Sequence, residues 1–265
     1  MTTIPQDGAL LGRRPQDWVH GQVGALPYEV RNLSGDWTKY LPPAERQSNR
    51  RTETMACVSY SLLNVIETQI NFLSGEQVNF SDRWLAKMSN TTMAGNYLWA
   101  VADTVRHFGL VPQTTWPEPS DYTWDSFYAP IPPEIQSKGM EFLENYTIAY
   151  EWVELTQDSL LKHLKHCPLQ VVIPGHAIEA FYSVADVVKY FDTYSPYIKS
   201  TSLSHLSDAL KVVVTPKHMN QIKTQQLGSE LRLVLQASTM EEFQALCKVH
   251  GKNPAQIDEK VQLST

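Results

Sequence analysis

Residues 54–75 read TMACVSYSLLNVIETQINFLSG, and this stretch decides the fold. Leu62, Leu63, Val65, Ile66, Ile70 and Leu73 recur at helical spacing, with Asn64, Glu67 and Gln69 between them. The pattern predicts a helix that begins near Thr54 and ends at Ser74-Gly75. Cys57 stands where the loop RRTETMA enters that helix. A thiol there faces the positive end of the helix dipole and several unpaired backbone N–H groups. Both favour the thiolate, the nucleophilic form of cysteine. A small residue buried at a helix start would occupy the same position, so Cys57 alone decides nothing.

Outward from that helix, the chain separates into two halves. Residues 1 to about 52 are rich in Pro, Gly, Arg and Asp and read as an extended arm that wraps a core. A second helix is expected over Ser81 to Met88, with Ser81 as its N-cap. A third runs from about Asn96 to Phe108, places Leu98, Val101, Ala102 and Val105 on one face, and stops at Gly109. The proline-rich and aromatic residues 112–133 form an irregular crossing that packs down. The second half alternates: a helix over Pro133 to Asn145, a strand over Thr147 to Val153, and a short helix over Thr156 to His166. Strands follow at Leu169 to Ile173, Ala177 to Tyr182, Val187 to Phe191, Leu210 to Val214 and Leu231 to Leu235. A last helix, Met240 to His250, begins with Thr239 three residues before Glu242, a capping-box pattern. A helical half before a β-rich half predicts an α+β protein of two lobes.

Composition narrows the function classes. The 265 residues are 42% hydrophobic and 19% charged, which excludes a disordered or fibrous chain. No apolar run approaches the length of a membrane span, so no membrane insertion is expected. The start, MTTIPQDGALLGRRPQDW, carries no secretory pattern, and a cytoplasmic or virion-associated location is expected. The net charge of −6 and the lack of a basic stripe argue against nucleic acid as a partner. Cys57, Cys167 and Cys247 are odd in number and far apart, which disfavours a disulfide framework and a structural zinc site. His163 and His166 lie beside Cys167, but Lys162 and Lys165 interleave them, so a solvated face is expected there and no metal. Cys167 is expected to be partly exposed at a helix end, and Cys247 to be core. Glu53, Glu67 and Asp82 are expected to be surface or capping groups. Neither GxxxxGK[ST] nor GxGxxG occurs, so no nucleotide or other cofactor is expected.

A second motif gives Cys57 a context. The strand LQVVIP is followed by Gly175-His176-Ala177-Ile178, and sixteen residues past His176 comes Asp192 in Phe191-Asp192-Thr193-Tyr194. A nucleophilic cysteine needs a base within hydrogen-bond reach, and that base needs an acceptor on its other ring nitrogen. A cysteine on a helix start, then a histidine and an acid on adjacent strands, can supply this. Taken singly, His176 could be a satisfied strand histidine and Asp192 a turn residue.

The ordered set of motifs resembles the papain-like cysteine peptidases. It comprises Leu26-Pro27, Asp36-Trp37, Pro42-Pro43, Gln47, CVSYS at Cys57, NFSDRWL, TTMAGNY, RHFGLVP, TTWPEP, LKHLKHCPLQVVI, HAI at 176–178, and Asp192-Thr193-Tyr194-Ser195. The resemblance spans about residues 26–215. It implies a papain-like two-lobe fold, with a helical lobe over about 54–111 and a β-rich lobe over about 134–215. The arm at 1–25 and an extension at 216–265 flank it; the extension, strand plus helix, completes the second lobe or docks a partner. The resemblance further implies Cys57 as nucleophile, His176 as general base and acid, and Asp192 as the group that orients the ring. Gln47 would donate to the oxyanion with the Cys57 backbone N–H, and Tyr194 would shield the His–Asp bond. Removing one oxyanion donor is expected to cost about 3–4 kcal/mol of barrier.

Four departures bear on this. Gln47 lies ten residues before Cys57, so an insertion within SNRRTETMA must be accommodated, or Thr54 serves the hole instead. The connection between 169–173 and His176 is very short, which predicts a more open or differently walled cleft. Aspartate in place of the family's asparagine adds charge and is expected to raise the pKa of the histidine. No pro-segment of the family's usual length is expected before residue 26, which leaves control to assembly, location or the arm. The implied partner is a protein or peptide substrate, with a homo-oligomer or larger assembly also open. The motifs look closest to bacterial or bacteriophage-encoded members. Two other functions fit the same residues: a weakly active or inactive structural component, for instance of a virion, and an acyl or amide transferase.

Overall fold

A computed structural model describes residues 8–17, 19, 26 and 28–217. The chain divides into two compact units, Met1–Phe72 with Glu76–Lys217, and Leu73–Gly75 with His218–Thr265. The expected strand at 231–235, the helix at 240–250 and Cys247 lie outside the described residues.

Helix α1 (Cys57–Ser74) starts at Cys57 itself rather than near Thr54. Thr54 is held outside it because its hydroxyl donates to the Gln47 carbonyl at 2.7 Å, and Met55 sits in the left-handed region at φ +56°. Every residue of α1 from Cys57 to Asn71 is buried, so Asn64, Glu67 and Gln69 mark no solvent face. Their polarity is spent internally. Gln69 donates to the Val65 and Val212 carbonyls and accepts from the Val214 N–H, while Glu67 accepts from the Phe80 N–H. Buried polar groups partnered in this way tie a helix to its surroundings at little cost.

Helix α2 (Asp82–Met88) is capped by Ser81, whose Oγ accepts the Trp84 N–H at 3.1 Å. Helix α3 (Leu98–Phe108) buries Leu98, Val101, Ala102 and Val105, and ends at Gly109 with φ +70°. A Cβ at Gly109 would fall 1.8 Å from the Gly139 carbonyl oxygen, so only glycine fits. Asn96 and Tyr97 do not open that helix as expected. They form β2 (Asn96–Tyr97), which pairs in parallel with β1 (Ala9–Leu10). The crossing at 112–133 is packed down as expected: a short helix α4 (Trp124–Phe127) lies in it, and Tyr122, Phe127 and Tyr128 pack on Ala56 and Tyr60. Helix α5 (Pro133–Asn145) then leads into the sheet.

The second lobe contains β3 (Tyr146–Trp152), α6 (Gln157–Leu164), β4 (Leu169–Ile173), β5 (His176–Val184), β6 (Val187–Phe191), β7 (Ile198–Ser202) and β8 (Asp208–Pro216). The strands form an antiparallel sheet in the order β3-β8-β4-β5-β6-β7. β7 was not foreseen: IKSTS has no apolar alternation, and the strand forms by backbone pairing along β6 at the sheet edge. α1, α3, β3 and β8 share one apolar core through residues such as Ile66, Val101, Ile148 and Val212. α6 closes a second core over β4 and β5 through Leu160, Leu164, Val171 and Ile178. The result is the expected α+β architecture of a helical lobe and a β-rich lobe.

Several surface expectations are corrected by packing. Glu67 and Asp82 are buried, and burial holds both well above the ordinary carboxylate range. His163 and His166 present no solvated face; both are buried, with Tyr28 packed against them. The Glu29 N–H donates to His166 Nδ1 at 3.0 Å, and burial pushes this imidazole down to about 3. Cys167 is fully buried, and burial pushes its thiol up to about 12. Among the described residues no group of three His, Cys, Asp or Glu side chains is arranged to hold a metal ion. No described helix is long and apolar enough to cross a membrane.

Glu179, on β5, makes a pH prediction. It is fully buried. Burial raises it to about 8, against a weaker pull from the Thr68 hydroxyl. A carboxyl raised in the folded state contributes stability that is fully present below its unfolded pKa, about 4.5, and is lost as the pH rises through about 8. Glu179→Gln therefore flattens the fall in stability between pH 5 and pH 9, by up to a few kcal/mol. Urea midpoints at the two pH values measure this; an unchanged slope with pH would refute the assignment.

Candidate active site

Two devices bring the chain-distant residues together. A two-residue turn, Pro174-Gly175, joins β4 to β5 and sets Ile173 opposite His176, with Gly175 at φ +72°. From β4, Gln170 donates to the Val58 carbonyl and to Ser61 Oγ, both at 2.8 Å. The first turn of α1, which begins at Cys57, is thereby stitched to the hairpin on which His176 begins β5.

His176 Nε2 lies 2.8 Å from Asp192 Oδ1. Nδ1 is buried and meets no hydrogen-bond partner among the described residues, and the Cys57 side chain is near enough to act on the titration of the ring. Burial lowers the imidazole pKa, but the bond to Asp192 and the interaction with Cys57 outweigh it and raise the ring to about 9. The stability this pairing contributes is fully present below about 6.5 and is lost as the pH rises through about 9. Asp192 follows β6, where its N–H donates to the Tyr197 carbonyl at 2.8 Å. Burial raises this carboxyl, yet His176 and then Lys199 pull it below the ordinary range. Its Oδ1 also accepts the Tyr194 N–H at 3.2 Å, and its Oδ2 accepts from Lys199 Nζ at 2.7 Å.

Gln47 and Tyr194 also converge here. Gln47 is buried, its Oε1 accepts from Thr193 Oγ1 at 2.7 Å, and its Nε2 donates to Glu53 Oε1 at 2.8 Å. The amide is fixed at both ends, with one N–H committed. The Tyr194 ring lies 5.4 Å from the His176 ring, and its hydroxyl donates to Glu53 Oε2 at 2.5 Å. Glu53, expected at the surface, instead braces both residues from within the extra loop before α1. Thr54 is not a free donor, because its hydroxyl is spent on the Gln47 carbonyl.

The cleft is not open. The Asn96 N–H donates to the Gly8 carbonyl at 2.9 Å, and the Ala9 N–H donates to the Gly175 carbonyl at 3.3 Å. A Cβ on Gly8 would stand 2.8 Å from the Met55 carbonyl oxygen and 3.0 Å from Cys57 Sγ. Residues 8–10 therefore lie as a strap across the sulfur, and Cys57 and His176 are both 0% exposed. The strap is anchored downstream by Arg14, which pairs with Asp17 and Asp103 and stacks over Trp99. The β4–β5 turn is as short as the sequence indicates, and residues 8–10 lie beside it.

A cysteine at the head of a central helix meets a histidine and an acid on the facing sheet. The fold is that of the papain-like cysteine proteases. The chain is similar to xylellain, a cysteine protease from Xylella fastidiosa, with a TM-score of 0.59 and 12% identity over 80% of this chain and 98% of that one. It is also similar to digestive procathepsin L 3 of Tenebrio molitor larval midgut, with a TM-score of 0.56 and 11% identity over 79% and 77% of the two chains. A third similar structure is the Amb a 11 cysteine protease of ragweed pollen in its proform, with a TM-score of 0.51 and 12% identity over 72% and 68%. No protein-family profile matches the chain, and no curated protein does.

Sequence reading placed Cys57, His176, Asp192, Gln47 and Tyr194 together in this papain-like cleft, and they do meet. It missed Glu53, Thr193, Lys199 and the strap. Thr193 was within reach, since it sits between two named residues. Lys199 carried no motif, because its role depends on the pairing of an edge strand.

Proposed function

We propose that the chain is a cysteine peptidase acting on protein or peptide substrates. The observation that carries this is a buried His176 whose Nε2 lies 2.8 Å from Asp192 Oδ1 and whose ring has the Cys57 side chain beside it. In acylation the Cys57 sulfur bonds to the peptide carbonyl carbon. The remaining Gln47 N–H and the Cys57 backbone N–H take the oxyanion. His176 gives its Nδ1 proton to the departing amine, and the C–N bond breaks. In deacylation the neutral ring takes a proton from water, the water oxygen bonds to the acyl carbon, and the thioester opens. Tyr194 covers the His–Asp bond from water.

A second reading, a papain-like structural component with little turnover, is favoured by the strap over the sulfur. One experiment separates the two. The full chain is incubated with a peptide mixture and, separately, with a peptidyl chloromethyl ketone, and products are identified by mass spectrometry. The peptidase reading requires hydrolysed peptide bonds and an adduct confined to Cys57. Neither cleavage nor adduct, even after the strap is displaced, would leave the structural reading. Amide products that appear only with an added amine would indicate a transferase.

A further inference from the structure

Asp192 differs from a neutral amide in bringing a full negative charge beside His176. That charge is met. Oδ1 is committed to the ring and to the Tyr194 N–H, and Oδ2 accepts from Lys199 Nζ at 2.7 Å. The Asp192 side chain is 2% exposed and that of Lys199 is 24% exposed, so solvent screens this pair only in part. Lys199 reaches Asp192 because β7 pairs with β6 in the register that sets Ile198 opposite Phe191 and Lys199 opposite Tyr190.

We propose that Lys199 is a positioning residue for the reaction, one that makes Asp192 act toward His176 as a nearly neutral acceptor. The inference rests on the peptidase reading above. Its consequence lies in the proton balance. In acylation the imidazolium must release its Nδ1 proton to the leaving amine as the sulfur–carbon bond persists and the carbon–nitrogen bond breaks. An uncompensated carboxylate on Nε2 would hold that proton more tightly and make the ring a poorer acid. The Lys199 charge opposes this while leaving the hydrogen bond that orients the ring. The other titratable groups facing the pair are Cys57 from α1, Tyr190 from β6, and Tyr194 from the loop after β6 with Glu53 behind it. None of these brings a positive charge.

The test is a ring-proton NMR titration of His176 in the full chain, assigned by its loss in His176→Gln. It is run on the wild type, Lys199→Met and Lys199→Arg, and again with each on an Asp192→Asn background. Lys199→Met is expected to raise the His176 midpoint by about one unit, tenfold in proton affinity, and to carry the alkaline limb of kcat/KM with it. Lys199→Arg is expected to restore the wild-type midpoint. On the Asp192→Asn background Lys199→Met is expected to give a clearly smaller shift, since the carboxylate that holds the ammonium near the ring is gone. An unchanged midpoint in Lys199→Met, or an equal shift on both backgrounds, overturns the proposal. Absence of both peptide cleavage and a Cys57 adduct in the wild type overturns the peptidase reading itself, which keeps the two failures apart.

Discussion

Cys57→Ser and His176→Gln each lower peptide turnover by about 10³–10⁶-fold, and the double variant is no worse than the more damaging single one. The two groups act on one proton and one bond, so removing either disables the unit. Serine at 57 keeps the volume of a side chain that is 0% exposed, so the loss is not one of packing. At 176, the Asp192 carboxylate left behind still has Lys199 at 2.7 Å and the Tyr194 N–H at 3.2 Å, which limits the structural damage. Steady-state kinetics on a cleaved peptide, beside thermal melts of each variant, checks this. Turnover that survives either change within tenfold would remove Cys57 and His176 from the chemistry.

Gly8→Val raises kcat/KM. The strap is held near the sulfur by two backbone hydrogen bonds, Asn96 N–H to Gly8 and Ala9 N–H to Gly175. Each contributes about 0.5–1.5 kcal/mol net. A valine at position 8 cannot keep them, because its Cβ would lie 2.8 Å from the Met55 carbonyl oxygen and 3.0 Å from Cys57 Sγ. Losing about 1–3 kcal/mol of strap binding raises the population of the open cleft about 5–150-fold, and kcat/KM follows that population. Initial rates on a short peptide measure the effect. Equal or lower activity in a folded Gly8→Val protein would show that the strap does not limit access.

Much of this molecule can be read one segment at a time. The helix over 57–74, the Ser81 cap, the stop at Gly109, the helix over 133–145 and the strands over 169–173 and 187–191 all follow from periodicity and capping. These are local signals, carried by residues within a few positions of one another. The three strands that failed to show, β1, β2 and β7, are those that are too short or too lacking in apolar alternation to carry a pattern, and they are made by backbone pairing. The buried carboxylates failed for a related reason. Glu67 and Asp82 read as surface or capping groups in sequence, and only the packing of other elements over them removes the water.

What the order of residues determined by itself was the two-lobe plan and the identity of the sulfur, imidazole and carboxylate that meet in it. Those depend on repeating local patterns and on the order of a few short motifs along the chain. What only the tertiary structure decided was the electrostatic setting: a lysine balancing the Asp192 charge, a glutamate clamping Gln47, and a strap over the nucleophile. Each of these joins elements that pair across the fold, by hydrogen bonds such as Thr193 to Gln47 over 146 positions of chain. Such contacts form only when the lobes and the sheet edge are already in place, so no neighbouring residue carries their signature.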